Sequence, residues 1–459
     1  MRRLVVIPSE RPRPARVREH PNAGWFAVAT VCFGAFMGQL DASIVTLTFP
    51  SLQHEFDAPL AAVQWVSLSY LLTLVALLPA VGRVADAVGR KLVYGNGFGI
   101  FTAASVACGL APGLGWLAGF RVLQAAGAAM LQANSVALVV GSVPKTKVRA
   151  ALGVQASAQA LGLALGPALG AELVSTLGWR SVFLVNVPVG VAGIVAGRFL
   201  LPRTRERTPL GRFDHAGLAL LALASTALLL ALSGVSGLRM PAPAVAALAL
   251  VVPFAVAGYA WRERRAENPL IDLATLRPSA VSLGLLGALC GYLVLFGPLT
   301  LFPQTLGTHG AAGLVLACLP AGFGVAAVAA ERLLPPGIGT RARILLGAAV
   351  AALGCGILAV APPSAGLAGG ILFGIGMGLG VFIPANNSSI MGAIPRRMAA
   401  TGGGLVNLAR GLGTAFGVAL VTLCLHVGNG ALALLALALS GAVAAVTGLA
   451  GGGTRTVRP

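Results

Sequence analysis

Asp41 and Arg121 stand inside apolar runs of a chain in which only 10% of residues are charged. Asp41 follows FGAFMGQL near one end of the run 25–48, and Arg121 opens RVLQAAG near the same-side end of the run 115–139. Their depths match. Ionisable residues in membrane helices are costly and usually functional. An Asp beside an Arg stays ionised, whereas the same Asp displaced into apolar surroundings takes up a proton. A rearrangement that separates the two would couple protonation of Asp41 to a change of access. The alternative is a structural ion pair bracing two helices. Arg410, deep in the run 399–426, needs a partner or water: it would attract an anionic group of a substrate, or brace helix carbonyls or Asn407. Glu172, near the end of 150–173, is expected to pair with Arg180 across a short loop.

Other chemistries find no support. The histidines (His20, His54, His215, His309 and His426) are dispersed, with no HExxH, and no paired-Asp cluster occurs, which argues against a membrane-embedded transferase. The cysteines fall in or beside apolar runs with no CxxC, so they read as small packing residues, not metal ligands. There is no GxxxxGK[ST], and GNGFG (95–99) and GIGMGLG (374–380) lie inside apolar helices without a preceding strand. Such small residues let helices approach closely. With no nucleotide site and no cofactor, the energy source is an ion gradient, unless transport is passive.

The elements that position these residues are legible in the hydropathy. The 459-residue chain is 57% hydrophobic, with mean hydropathy +0.88. Runs long enough to cross a bilayer as helices, each about 20 residues, recur along its whole length. They predict an all-α integral membrane protein with fourteen transmembrane helices near 25–48, 61–81, 92–111, 115–139, 150–173, 181–201, 214–234, 242–261, 280–303, 309–330, 343–361, 366–391, 399–426 and 430–450. The net charge of +19 is explained by topology, not nucleic acid: with both termini cytoplasmic, 28 of the 32 Lys and Arg fall in cytoplasmic segments. The exceptions are Arg121, Arg180, Arg239 and Arg410. The basic, proline-rich residues 1–23 read as a disordered cytoplasmic tail, and Leu4–Ile7 is too short for a signal-peptide core.

The chain also repeats itself. ANSVALVVGSVPKTKVRAA (133–151) resembles ANNSSIMGAIPRRMAATGG (385–403), and the offset from Pro144 to Pro395 also carries Gly162 to Gly413 and Gly166 to Gly417. It spans eight helices, so the copies run in the same direction, as in transporters whose halves are related by an axis along the membrane normal. The expected organisation is a tail (1–23), a six-helix bundle (24–201), two inserted helices with their loops (202–279), a second six-helix bundle (280–450) and a cytoplasmic tail (451–459).

Between helices two and three, GRVADAVGRK (82–91) concentrates charge between glycines. Gly82 and Gly89 allow a tight inside turn, Asp86 suits a helix N-terminus or a cation, and Arg90 and Lys91 suit the phospholipid surface. This stretch resembles the signature loop of the major facilitator superfamily. LDASIVTLTFP (40–50) resembles the first-helix motif of its drug:proton antiporters. RVLQAAG (121–127) resembles the fourth-helix motif, with Ala125 where glycine is usual. LGLALGPALGAEL (161–173) resembles the fifth-helix antiporter motif, with Ala171 replacing a second glycine. GWRSVFLVNVPVG (178–190) and ENPLIDLATLR (267–277) resemble segments of the fourteen-helix branch. The equivalent second-half loop, 329–343, departs from the pattern, with only Glu331 and Arg332 in common.

The resemblance implies two six-helix bundles plus two inserted helices, working by alternating access. It makes Asp86 and Arg90 a cytoplasmic latch between the halves while the cavity faces outward. It puts Arg121 and Gln124 on the proton path with Asp41, and it makes the stripe Gly162, Gly166, Pro167 and Gly170 a barrier to leakage. Pro167 also weakens its helix by lacking an N–H. The remaining polar and aromatic residues, Trp65, Tyr70, Asn134, Gln155, Gln159, Gln304, Asn386, Asn407 and Arg410, are candidates for the cavity wall. The expectation is a monomeric, proton-driven exporter of drugs or antibiotics in a bacterial plasma membrane, with a drug-like substrate, protons and membrane lipids as partners. The alternative is an importer of a nutrient or metabolite.

Overall fold

Apolar runs in lipid fold as helices because the backbone must satisfy its own N–H and C=O groups. The computed structural model describes residue 10 and residues 12–204, 214–265, 276, 278–306, 311–333, 338–360, 365–394 and 399–450. Among the described residues there is no strand, and fourteen long helices follow one another. The first eight are α1 (Ala23–Phe56), α2 (Leu60–Val88), α3 (Arg90–Gly109), α4 (Leu114–Ser142), α5 (Val148–Leu177), α6 (Ser181–Leu200), α7 (His215–Val235) and α8 (Ala242–Glu263). The other six are α9 (Ser279–Leu306), α10 (Ala311–Leu333), α11 (Thr340–Val360), α12 (Ala365–Ala393), α13 (Ala399–Val427) and α14 (Gly430–Ala450). Thirteen are long and apolar enough to cross a membrane; α10 contributes the shorter apolar stretch Gly313–Ala327. The tail 451–459, and much of the loops around 205–213 and 266–275, lie outside the described residues.

Two helices run further than hydropathy indicates. α1 was expected to stop at 48, but it tightens into a 3-10 turn at Val45–Thr48 and resumes as Phe49–Phe56. Pro50 sits in the first turn of that last piece, where a missing N–H costs nothing. α2 keeps Gly82 and Asp86 helical, and the chain turns only at Gly89, whose φ of +128° favours glycine.

The bundles repeat each other in detail. In the first half α1 packs on α4, α5 and α6, α2 on α4, and α3 on α4 and α6. Raising every label by eight gives the second half: α9 on α12, α13 and α14, α10 on α12, and α11 on α12 and α14. The glycine offset has the same meaning. A Cβ on Gly162 would strike the carbonyl of Phe36 in α1, one on Gly166 would strike the Ser43 hydroxyl, and Gly170 lies against Ile44 and Leu47. On the matching helix α13, Gly413 lies under the Leu289 carbonyl of α9, and a Cβ on Gly417 would come within 2.8 Å of the Leu293 carbonyl. These positions let the helix backbones touch.

The halves meet at two related seams, α5 against α10 and α2 against α13. At the face opposite the termini, Gly313 of α10 sits against Pro167 and Ala171, and Leu47 joins the second half's apolar core. The inserted α7 and α8 pack on each other, with α7 also against α2 and α13.

Replacing Gly166 by valine should push α1 off α5 and lower stability by about 1–3 kcal/mol, the range for overpacking. Gly153→Val, at a site with nothing within 4 Å, should not. Thermal unfolding of the detergent-solubilised variants, with Gly166→Val melting no lower than Gly153→Val, would refute this packing.

Candidate functional site

Five helices of the first half converge on one buried carboxylate. Asp41 lies on α1 just before its 3-10 turn and is fully buried, as are Arg121 and Gln124 of α4, which share a helix face three residues apart. Arg121 Nη1 donates to Asp41 Oδ2 at 2.6 Å and to Gln124 Oε1 at 2.5 Å, while its Nε reaches the Val66 carbonyl of α2 at 3.0 Å. The other carboxylate oxygen, Oδ1, accepts from Gln124 Nε2 at 3.0 Å and from Asn186 Nδ2 of α6 at 3.1 Å. Gln124 Nε2 also lies 2.9 Å from Ser105 Oγ of α3. The guanidinium stacks over the Tyr70 ring, 4.0 Å from its centroid, with Phe183 at 5.9 Å. Charge and hydrogen-bond partners for both ions are thus supplied from α1, α2, α4 and α6, which a buried ion pair requires if it is not to destabilise its surroundings. Sequence reasoning paired Asp41 with Arg121 but missed Asn186 and Ser105. Asn186 is an amide inside an apolar helix, and that was the available signal.

Several expected cavity residues serve other purposes. Trp65 donates from Nε1 to Ser233 Oγ of α7 at 3.1 Å, beside Gln64, which bonds the same hydroxyl at 2.8 Å. It therefore fastens the inserted pair and is not a free stacking platform. Tyr70 is buried under Arg121, and its hydroxyl has no hydrogen-bond partner among the described residues. Asn134 is buried and bonds its own helix at the Met130 carbonyl, 2.8 Å away; Asn386 ties α12 to the Gly284 carbonyl of α9 at 2.8 Å. Gln155 is buried, and its Oε1 has no hydrogen-bond partner among the described residues. Gln159, Gln304, Asn407 and Arg410 stay part-exposed, and Arg410 Nη2 crosses between the halves to Gln132 Oε1 at 2.7 Å.

The loop 82–91 is organised locally. Arg90 pairs with Asp86 one turn earlier at 2.8 Å, so among the described residues the two bind each other. The open N-terminus of α3 is closed by residues the sequence reading had left out. Thr204 Oγ1 accepts from the Arg90 N–H at 2.9 Å, and Glu10 Oε1 accepts from the Leu92 N–H at 3.3 Å. Glu10 also takes the Thr204 N–H at 2.6 Å and its hydroxyl at 2.9 Å. The expected disordered tail is thus docked at Glu10, which is buried against Gly89, where carboxylate oxygens suit a helix's unpaired donors. Lys91 is buried beside it.

The pairing of Glu172 with Arg180 is corrected. Because α1 continues to Phe56, Glu55 reaches the α5–α6 turn and accepts from Trp179 Nε1 at 2.6 Å and from Arg180 at 2.9 Å. Glu172 is exposed. The stripe Gly162, Gly166, Pro167 and Gly170 holds α5 between α1 and Gly313 of α10, at the boundary of the two halves.

A family model described as Major Facilitator Superfamily matches residues 31–418, from within α1 into α13. The chain belongs to the Major Facilitator Superfamily. It is 36% identical over 259 residues to a protein of Yersinia enterocolitica named as multidrug resistance protein MdtD, a match covering 56% of this chain and 55% of that one. The match thus takes in about half of that relative's length. It is 30% identical over 400 residues to the multidrug resistance protein Stp of Mycobacterium tuberculosis, covering 84% of this chain and 73% of Stp. It is 28% identical over 407 residues to the riboflavin transporter RibZ of Clostridioides difficile, covering 85% and 87%. Family and relatives point to a multi-pass transporter of the drug-efflux branch, not to an enzyme.

In this member of the superfamily the buried pair should behave as a unit. Asp41→Asn leaves the Arg121 charge uncompensated and should cost about 3–5 kcal/mol of stability, much of it regained in Asp41→Asn/Arg121→Gln. The check is thermal unfolding in detergent; a single variant as stable as the wild type, or a double variant no better than the single, would contradict it.

Proposed function

We propose that this protein is a proton-coupled antiporter that exports drug-like or antibiotic molecules across a bacterial plasma membrane by alternating access, with both termini cytoplasmic. The observation that carries the reading is the Asp41–Arg121–Gln124 cluster, sealed in the first half and built from several helices that a rearrangement would shift against one another. While Asp41 contacts Arg121 it keeps its charge; once parted from the guanidinium in apolar surroundings, it binds a proton. Protonation then favours the conformation in which the pair is broken, and return of the pair expels the proton. Contacts at the face opposite the termini, where Gly313 packs on α5 and Leu47 reaches the second core, support a state closed at that face. With the termini inside, this state is closed to the exterior. Asp86 and Arg90 then latch the halves only in the opposite state, which agrees with their local pairing here. The names of the Stp and MdtD relatives support drug export. The RibZ name favours a second reading, transport of a metabolite, with import as its variant.

Inverted membrane vesicles with an imposed proton gradient, interior acidic, separate these readings. A panel of antibiotics and lipophilic dyes should accumulate in a protonophore-sensitive manner, and Asp41→Asn should abolish that accumulation. Accumulation that survives Asp41→Asn would move coupling away from the cluster. Accumulation of riboflavin alone would favour the metabolite reading, and none at all beside a working expression control would count against export.

A further inference from the structure

Two arginines sit within the helical bundle, Arg121 and Arg410, and among the described residues only Arg121 of the two has a carboxylate partner. Arg121 has Asp41. Arg410, on α13 and part-exposed between the halves, has only neutral partners: Gln132 Oε1 of α4 at 2.7 Å, and the hydroxyl of Tyr292 on α9, which the Asn387 side chain of α12 also approaches. Among the described residues no carboxylate forms an ion pair with Arg410, and the buried Asp41 is taken up by Arg121. A guanidinium is permanently charged, and holding it at membrane depth is costly unless an anion or water meets it.

We infer that Arg410, flanked by Tyr292 and Asn387, is the binding point for an anionic group of the transported molecule, a carboxylate or an ionised phenol. This rests on the reading of the protein as a transporter and names the charge class of its substrate. A carboxylate or phenolate on the guanidinium makes a charge-assisted hydrogen bond, roughly twice as strong as the neutral bond to the Gln132 amide it replaces. Gln132 belongs to the first half and Arg410 to the second, so this exchange breaks a polar contact between the halves. Loading the site therefore loosens the boundary that has to open in alternating access. Tyr292 and Asn387 supply neutral donors beside the cation, suited to the second oxygen of a carboxylate.

The test is equilibrium binding to the purified full-length protein in dodecyl maltoside at pH 8, without a gradient, so its outcome is independent of any transport assay. The probes are two dyes on one ring system, anionic fluorescein and cationic rhodamine 6G, read by fluorescence anisotropy against protein-free micelles. Fluorescein should bind at least about tenfold tighter than rhodamine 6G, a factor expected of one charge-assisted contact. Arg410→Gln should remove that preference, and Arg410→Lys should keep most of it. Gln132→Ala, which leaves the cation in place and removes its competitor, should tighten fluorescein binding. Fluorescein binding no better than rhodamine 6G, unchanged in Arg410→Gln, or unimproved in Gln132→Ala would overturn the assignment.

Discussion

Two opposite charges sealed in an apolar interior are stable only together, and the arrangement of the first half follows from keeping Asp41 on Arg121. The carboxylate comes from α1 and the guanidinium from α4, with Asn186 of α6 and the Val66 carbonyl of α2 completing their shells. Each contributing helix is thereby set in depth and rotation. In the proposed cycle the same cluster would make the half responsive, because a shift of α1 against α4 would leave an unpaired charge that a bound proton removes.

What fixes α1 is close backbone contact with α5. Gly162 and Gly166 put α5 directly under Phe36 and Ser43, so the helix that carries Asp41 cannot move without its neighbour. That neighbour also borders the second half through Gly313, which links the ion pair mechanically to the seam between the halves. The second half uses the same glycine contacts on α9, has no buried acid among the described residues, and carries Arg410 instead. One packing plan thus serves two electrostatic roles: a charge pair in one half and an unneutralised cation at the boundary.

Helix number, the two-bundle repeat and the inserted pair were legible because each rests on a property carried along the chain: hydropathy over a membrane's thickness, cation spacing and recurring glycines. The Asp41–Arg121 partnership was legible for a similar reason, since depth can be counted along a helix. Errors arose wherever the answer depended on which way a helix face turns. Trp65 and Tyr70 had the chemistry of a stacking wall, but one faces Ser233 of α7 and the other lies under Arg121. Arg180 had Glu172 within reach by sequence and took Glu55 instead, because α1 continued past its apolar run. Glu10 looked like part of a solvated tail, and its burial depends on α3 and Thr204 leaving donors at that point.

By itself, then, the sequence determined the membrane-spanning architecture, its internal repeat and the identity of the ionisable residues placed at membrane depth, since transfer of each segment into lipid depends on that segment alone. Tertiary structure decided which further partners they take: Asp41 meets Asn186, Arg180 meets Glu55, and Arg410 meets Gln132 across the halves. Partner choice turns on the rotation of one helix against another and on differences of an ångström or two between backbones. Those are set by side-chain packing over the whole bundle, not by any run of residues within it.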